Sequence, residues 1–249
     1  MFEKAGAHPA FTAIVLGSLG SRAALGLLNS GVGRETEAAP HISPQHVDRL
    51  LQRVKSTHGV DIGYVHAPQL IDGNAAFASP EKAKRLLKSL RDQGNPLAAE
   101  MRKAIKSDGL IITGRNTKKQ GIIEHELGHG VAAAQGNVVE RANAKYDVPK
   151  YGFLYHTIPS YAAAIIGGKR GPLAGALAGG IAGGLTDAPK LYSEYSANKY
   201  GREISETGEL PFSGLNFSTY LSRAVLPGAL TGALYGALSK RRPPETPAA

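Results

Sequence analysis

Hydrophobic and polar positions divide the chain into segments of two kinds. In the first kind, apolar residues run on almost without charge. Phe11 to Gly20 continues past Ser21 and Arg22 into Ala23 to Leu28, Tyr151 to Thr186 contains only Lys169 and Arg170 as basic residues before Asp187, and Tyr220 to Leu238 runs into Lys240, Arg241 and Arg242. In the second kind, apolar residues recur with the period of a helix or strand. Ser43 and Pro44 open an amphipathic helix through Val54, with Ser43 as cap and Val47, Leu50, Leu51 and Val54 on one face. Val60 to Val65 alternates as a strand does, and Asn74 to Ala78 reads as a loop or strand. Ser79 and Pro80 start a basic helix through Leu90, and Pro96 to Lys106 forms another. Gly109 to Thr113 is a short strand, expected at a sheet edge, and Arg115 to Gln120 is a polar turn. A helix then begins at Ile122 and Ile123 and ends at Gly136 and Asn137.

These signals predict an α+β fold, mainly α-helical, with a small sheet and added Gly/Ala-rich apolar helices. The expected segments are an N-terminal apolar helix (1–33), the α+β domain (41–150), an apolar hairpin (151–186), a further helix (187–217), a C-terminal apolar helix (218–242) and a disordered tail (243–249). Gly31 to Pro40 predicts a polar linker, and Pro189 a helix start.

Composition sharpens the reading of the apolar segments. Thirty-one glycines and no tryptophan in 249 residues, with glycine and alanine gathered in those segments, point away from a plain soluble enzyme. Gly175, Gly179 and Gly183 are spaced four apart, as are Gly228, Gly232 and Gly236. Each row makes a helix face that another backbone can approach closely, either within the chain or by self-association of copies. Near the lower end of the ~17–25 residues that cross a bilayer, the segments suit a membrane helix at the N-terminus, a hairpin turning at Lys169 and Arg170, and a C-terminal span. Arg22, Arg223 and Pro227 oppose that reading; the other is a set of helices packed on a soluble core. A formal charge of +9, with basic residues flanking apolar segments, suits an anionic membrane surface, and no nucleic-acid-binding pattern accompanies it. With no cysteine, metal ligands are restricted to His, Asp and Glu.

The candidate chemistry lies in Gly121 to Gly130, which carries H-E-x-x-H at His125, Glu126 and His129. Residues four apart share a helix face, so both imidazoles can reach one zinc ion while Glu126 stands beside it as general base. A preceding strand can hold an extended peptide next to the ion. Catalytic zinc needs a third protein ligand and an open position for water. Ala132 and Gln135 stand where the metzincin extension has Gly and His, which excludes that class. Further on, Asp187 to Gly201 offers Glu194, with Asn198 one turn later.

On these residues the chain resembles the gluzincins, particularly the membrane-embedded HtpX and CAAX-prenyl-protease type, in which H-E-x-x-H is followed by E-x-x-x-D on a second helix. The resemblance covers Leu110 to Gly130 and Lys190 to Gly201, and Asn74 to Ala78 is similar to a strand sequence of that family. It implies a zincin-like domain and Glu194 as third zinc ligand. Asn198 stands where the family has an Asp that partners a ligand histidine; an amide accepts the same hydrogen bond but brings no charge. His156 is the next candidate ligand, and Tyr192, Tyr195 and Tyr200 are candidates to stabilise an oxyanion. If Glu194 is a ligand, the segment between it and His129 crosses a membrane twice or not at all.

Three functions compete. The leading one is an integral-membrane zinc endopeptidase acting on peptide or protein substrates, with Glu126 taking a proton from zinc-activated water. The others are a membrane-inserting or pore-forming structural protein, such as a phage or secretion component, with a secondary or inactive peptidase-like domain, and a soluble peptidase with buried Gly-rich helices.

Overall fold

The computed structural model describes residues 8–38, 43–71, 75–114, 121–145, 152–210 and 213–239. Their order is α1 (Pro9–Ala38), α2 (Pro44–His58), β1 (Gly63–His66), β2 (Ala75–Ala78), α3 (Pro80–Asp92), α4 (Leu97–Ala104), β3 (Leu110–Thr113), α5 (Ile122–Ala134), α6 (Val138–Lys145), α7 (Gly152–Gly168), α8 (Pro172–Ile204) and α9 (Ser213–Ser239). The fold is therefore mainly helical with a small mixed sheet. The chain gathers into two compact units, one of residues 1–31, 148–191 and 215–249, the other of residues 32–147 and 192–214. The polar turn at Arg115 to Gln120, Asn74, the basic triplet Lys240 to Arg242 and the tail 243–249 lie outside the described residues.

The second unit is built around the sheet, ordered β1-β3-β2, with β1 parallel and β2 antiparallel to β3. Contrary to expectation, β3 is the central strand, and β1 and β2 are the edges. All four residues of β3 are buried, as a strand covered on both faces requires. Ile111 joins Val47, Leu50 and Val54 of α2, Ile123, Leu127 and Val131 of α5, and Ile204 on one face. Leu110 and Ile112 join Ala83, Leu90, Leu97 and Met101 from α3 and α4 on the other. The Ser43 hydroxyl accepts from His46 N (3.2 Å) and Ser79 from Lys82 N (3.3 Å), so both expected serine caps start their helices.

Within the first unit, α8 and α9 meet backbone to backbone. A Cβ added at Gly175 would lie 2.3 Å from the Gly232 carbonyl oxygen, one at Gly179 2.2 Å from that of Gly228, and one at Gly183 2.1 Å from that of Ala224. One set of numbers rises as the other falls, so the two glycine rows pack antiparallel against each other. On α7, the Ser160 hydroxyl donates to the Gly179 carbonyl (2.9 Å), and α1 joins through Gly17 against Thr231 and a 2.6 Å hydrogen bond between Ser18 and Tyr161. Large apolar residues face outward instead: on α8, Leu173, Leu177, Ile181 and Leu185 are 74%, 56%, 61% and 70% exposed. Pro9–Leu27 of α1, 19 residues with mean hydropathy 1.4, is long and apolar enough to cross a membrane; Ile158–Gly168 is apolar but shorter.

Two helices run further than their punctuation predicts. α1 continues through the expected linker to Ala38, over Arg34 to Ala38, whose Arg, Glu and Ala residues favour helix. Pro189 does not start a helix but lies inside α8. Its fixed φ is helical and its ring removes one backbone hydrogen bond, which a 33-residue helix packed along its length can absorb.

Candidate metal centre

Helix α5, which carries His125, Glu126 and His129, starts at Gly121, whose N–H donates to Glu124 Oε2 (2.6 Å), and ends before Gly136 at φ +91°. The other oxygen of Glu124 pairs with buried His46 Nε2 of α2 at 3.1 Å, which fixes the N-terminal turn. Across from α5 runs the C-terminal part of α8. A Cβ at Gly128 would lie 2.1 Å from the Ala197 carbonyl oxygen, and one at Gly201 3.0 Å from that of Glu124. Only residues this small let the backbones approach so closely, and the pairing of 124 with 201 and 128 with 197 makes the helices antiparallel. His125 is thereby brought to Asn198, and His129 to Glu194.

Three potential metal ligands meet at the crossing. Glu194 Oε2 lies 3.2 Å from His125 Nε2 and 3.9 Å from His129 Nε2, and one ligand atom of each residue falls within 4.8 Å of the others. Ligand atoms ~2.0–2.2 Å from a tetrahedral ion are roughly 3.3 Å apart, so the three residues fit one zinc with small closure of the group. Each histidine uses its other ring nitrogen elsewhere. His125 Nδ1 is 2.9 Å from Asn198 Oδ1, and His129 Nδ1 is 2.8 Å from Glu140 Oε1. Donation from Nδ1 to these oxygens leaves the Nε2 lone pairs turned toward Glu194, the tautomer a metal requires. Glu194 is 1% exposed, and a carboxylate charge so deep in the fold has to be compensated by pairing or by a metal.

Glu126, half-buried, accepts a 2.8 Å hydrogen bond at Oε2 from the N–H of Phe77 on edge strand β2. Burial opposes charge on His129, but its hydrogen bond to Glu140 and the fields of Glu126, Glu140 and Glu194 raise its pKa above the ordinary imidazole range. Of the candidate tyrosines, Tyr192 and Tyr195 are exposed, and the Tyr200 hydroxyl donates to Gln135 Oε1 (2.8 Å). The side chain of His156, on α7, lies outside the described residues.

Glu140 is the residue that sequence reasoning missed. It sits on α6, an element not foreseen, three residues after Asn137, whose Oδ1 accepts from Val139 N (3.0 Å) and Glu140 N (3.2 Å). Asn followed three residues later by Glu is a helix-start signal, and it was the available clue. Compared with family models, with curated proteins and with solved structures, the chain matches none.

Proposed function

We propose that the second unit is a zinc-dependent peptidase domain of zincin type, resembling the gluzincins, with His125, His129 and Glu194 as ligands. The observation that carries this reading is the convergence of two Nε2 atoms on one buried carboxylate, each imidazole oriented through its Nδ1. Zinc, when bound, lowers the pKa of a coordinated water toward ~7. Glu126 takes the proton of the attacking water and delivers it to the leaving amine. β2, at the edge of the sheet with the Phe77 N–H already turned to Glu126, supplies the strand along which an extended peptide aligns. The test is hydrolysis of a denatured protein or peptide library by purified protein, lost on chelation, restored by zinc, and absent in Glu126→Gln. Hydrolysis unaffected by chelator and by Glu126→Gln rejects it.

The first unit anchors the protein in a membrane, with α7, the first part of α8 and α9 embedded beside α1. What supports this is the inverted distribution of side-chain size. A water-soluble bundle buries its large apolar residues, whereas here Gly, Ala, Ser and Thr fill the helix contacts and Leu and Ile face outward. Exposed Arg22 and Arg223 reach the headgroups by extending their side chains. Single cysteines replacing Lys169 and Asn116 test the hairpin, because an impermeant thiol reagent should label them from opposite sides of sealed vesicles. Labelling of both from one side excludes a spanning hairpin. Membrane permeabilisation that survives Glu126→Gln would favour the structural-protein alternative.

A further inference from the structure

The two candidate ligand histidines are held by unlike partners. His125 Nδ1 meets a neutral amide, Asn198, while His129 Nδ1 meets a carboxylate, Glu140. A carboxylate partner raises the basicity of a ligand imidazole and fixes its tautomer, whereas an amide does only the second. We infer that Glu140 is a positioning residue that supplies to His129 the charge that Asn198 does not supply to His125. The inference rests on reading His125, His129 and Glu194 as the metal group.

Glu140 is 6% exposed, and a carboxylate that deep needs compensation. Its Oε1 receives both His129 Nδ1 and the hydroxyl of Ser193. Ser193 precedes Glu194, so one oxygen is tied to a ligand on α5 and to the neighbour of the ligand on α8. The short helix bearing it is itself fixed: Asn137 caps it through Oδ1 and donates from Nδ2 to Ser196 Oγ at 3.1 Å. A glutamate at the third helical position ordinarily reaches back to the cap N–H. Here the side-chain oxygen of Asn137 serves the start of α6 and Glu140 is turned inward onto the imidazole. Charge is thus placed on the second histidine, by a residue outside both ligand helices.

The simpler alternative is that Glu140 only fastens α6 against α5 and α8. Glu140→Gln separates the two, because the amide oxygen can still accept from both donors while the charge is gone. Zinc affinity is measured by chelator competition, and the ligand field by visible absorption of the Co2+-substituted protein. The expected result, at about pH 8, is 10–100-fold weaker zinc binding with an unchanged melting temperature of the metal-free protein, and recovery when Asn198→Asp is added to restore a carboxylate on the other histidine. Should Glu140→Gln fold poorly, Ser193→Ala decides: removing the hydroxyl that shares Oε1 should tighten zinc binding, whereas a fastening role predicts lower thermal stability and unchanged affinity. Parent-like affinity in Glu140→Gln, or no recovery with Asn198→Asp, overturns the inference. A parent protein that binds no zinc overturns the metal reading, and this inference with it.

Discussion

Gly128→Ala places a single methyl group where the account is most exposed to failure. The new Cβ would sit 2.1 Å from the Ala197 carbonyl oxygen, and an atom pair of this kind needs about 1 Å more. That oxygen is helix backbone and cannot rotate away, so α5 and α8 must part. Overpacking of this sort costs about 1–3 kcal/mol, offset by the ~1 kcal/mol that Ala gains over Gly in a helix. The larger effect falls on the metal. His125 and His129 lie on one helix and Glu194 on the other, with Oε2 already 3.2 and 3.9 Å from the two Nε2 atoms. Metal–ligand distances tolerate only ~0.2 Å, so separation by about 1 Å should remove Glu194 from the ligand set. Chelator competition should therefore show zinc affinity falling at least about tenfold, some 1.4 kcal/mol, with a modest change in melting temperature. Gly26→Ala, where nothing lies within 4 Å, is the control. Gly128→Ala with parental zinc affinity would refute the proposed ligand geometry.

Further outcomes follow from the same centre. Glu126→Gln should keep one zinc per chain yet lose hydrolysis by ~10²-fold or more, since the carboxylate acts on water and is not a ligand; parental activity would show it misassigned. Glu194→Ala should weaken zinc binding far more than Asn198→Ala, whose cost should fall within the 10–100-fold typical of an imidazole partner, and titration of both variants in parallel checks the order. Because the folded pKa of His129 is raised, its protonated form adds stability to the metal-free protein below the unfolded value near 6.5, lost as pH rises through the folded value. Zinc needs the neutral ring, so apparent affinity should fall as pH drops from about 8 to about 6, with a lower midpoint in Glu140→Gln. A flat affinity across that window would contradict the assignment.

Much of the centre was legible because helix periodicity ties sequence spacing to space. His125 and His129 four apart, and Glu194 and Asn198 four apart, present matching faces once two helices cross antiparallel, and Asn198 Oδ1 lies 2.9 Å from the Nδ1 of His125. The glycine rows were legible for the same reason, but only packing decides what fills them, and here it is each other. Strand order was not legible. Leu110 to Ile112 is continuously apolar because helices cover both faces of β3, a pattern that does not tell a central strand from an edge; the strand pairs on both sides, and the edges are β1 and β2. α6 was not foreseen, because eight residues give too few turns for a helical period to show, and Glu140 went unnoticed with it. Pro189 misled because a proline signal is local and the packing of α8 is not. His46, buried against Glu124, has no motif around it; its role emerges only when α2 packs on α5.

The central claim is that His125, His129 and Glu194 hold one catalytic zinc, and the most direct measurement is metal content of protein purified without chelator, alongside His129→Ala. The account predicts about one zinc per chain in the parent and strong loss in the variant. A parent without metal that takes up none on titration with zinc, or a His129→Ala variant that retains it undiminished, would contradict it.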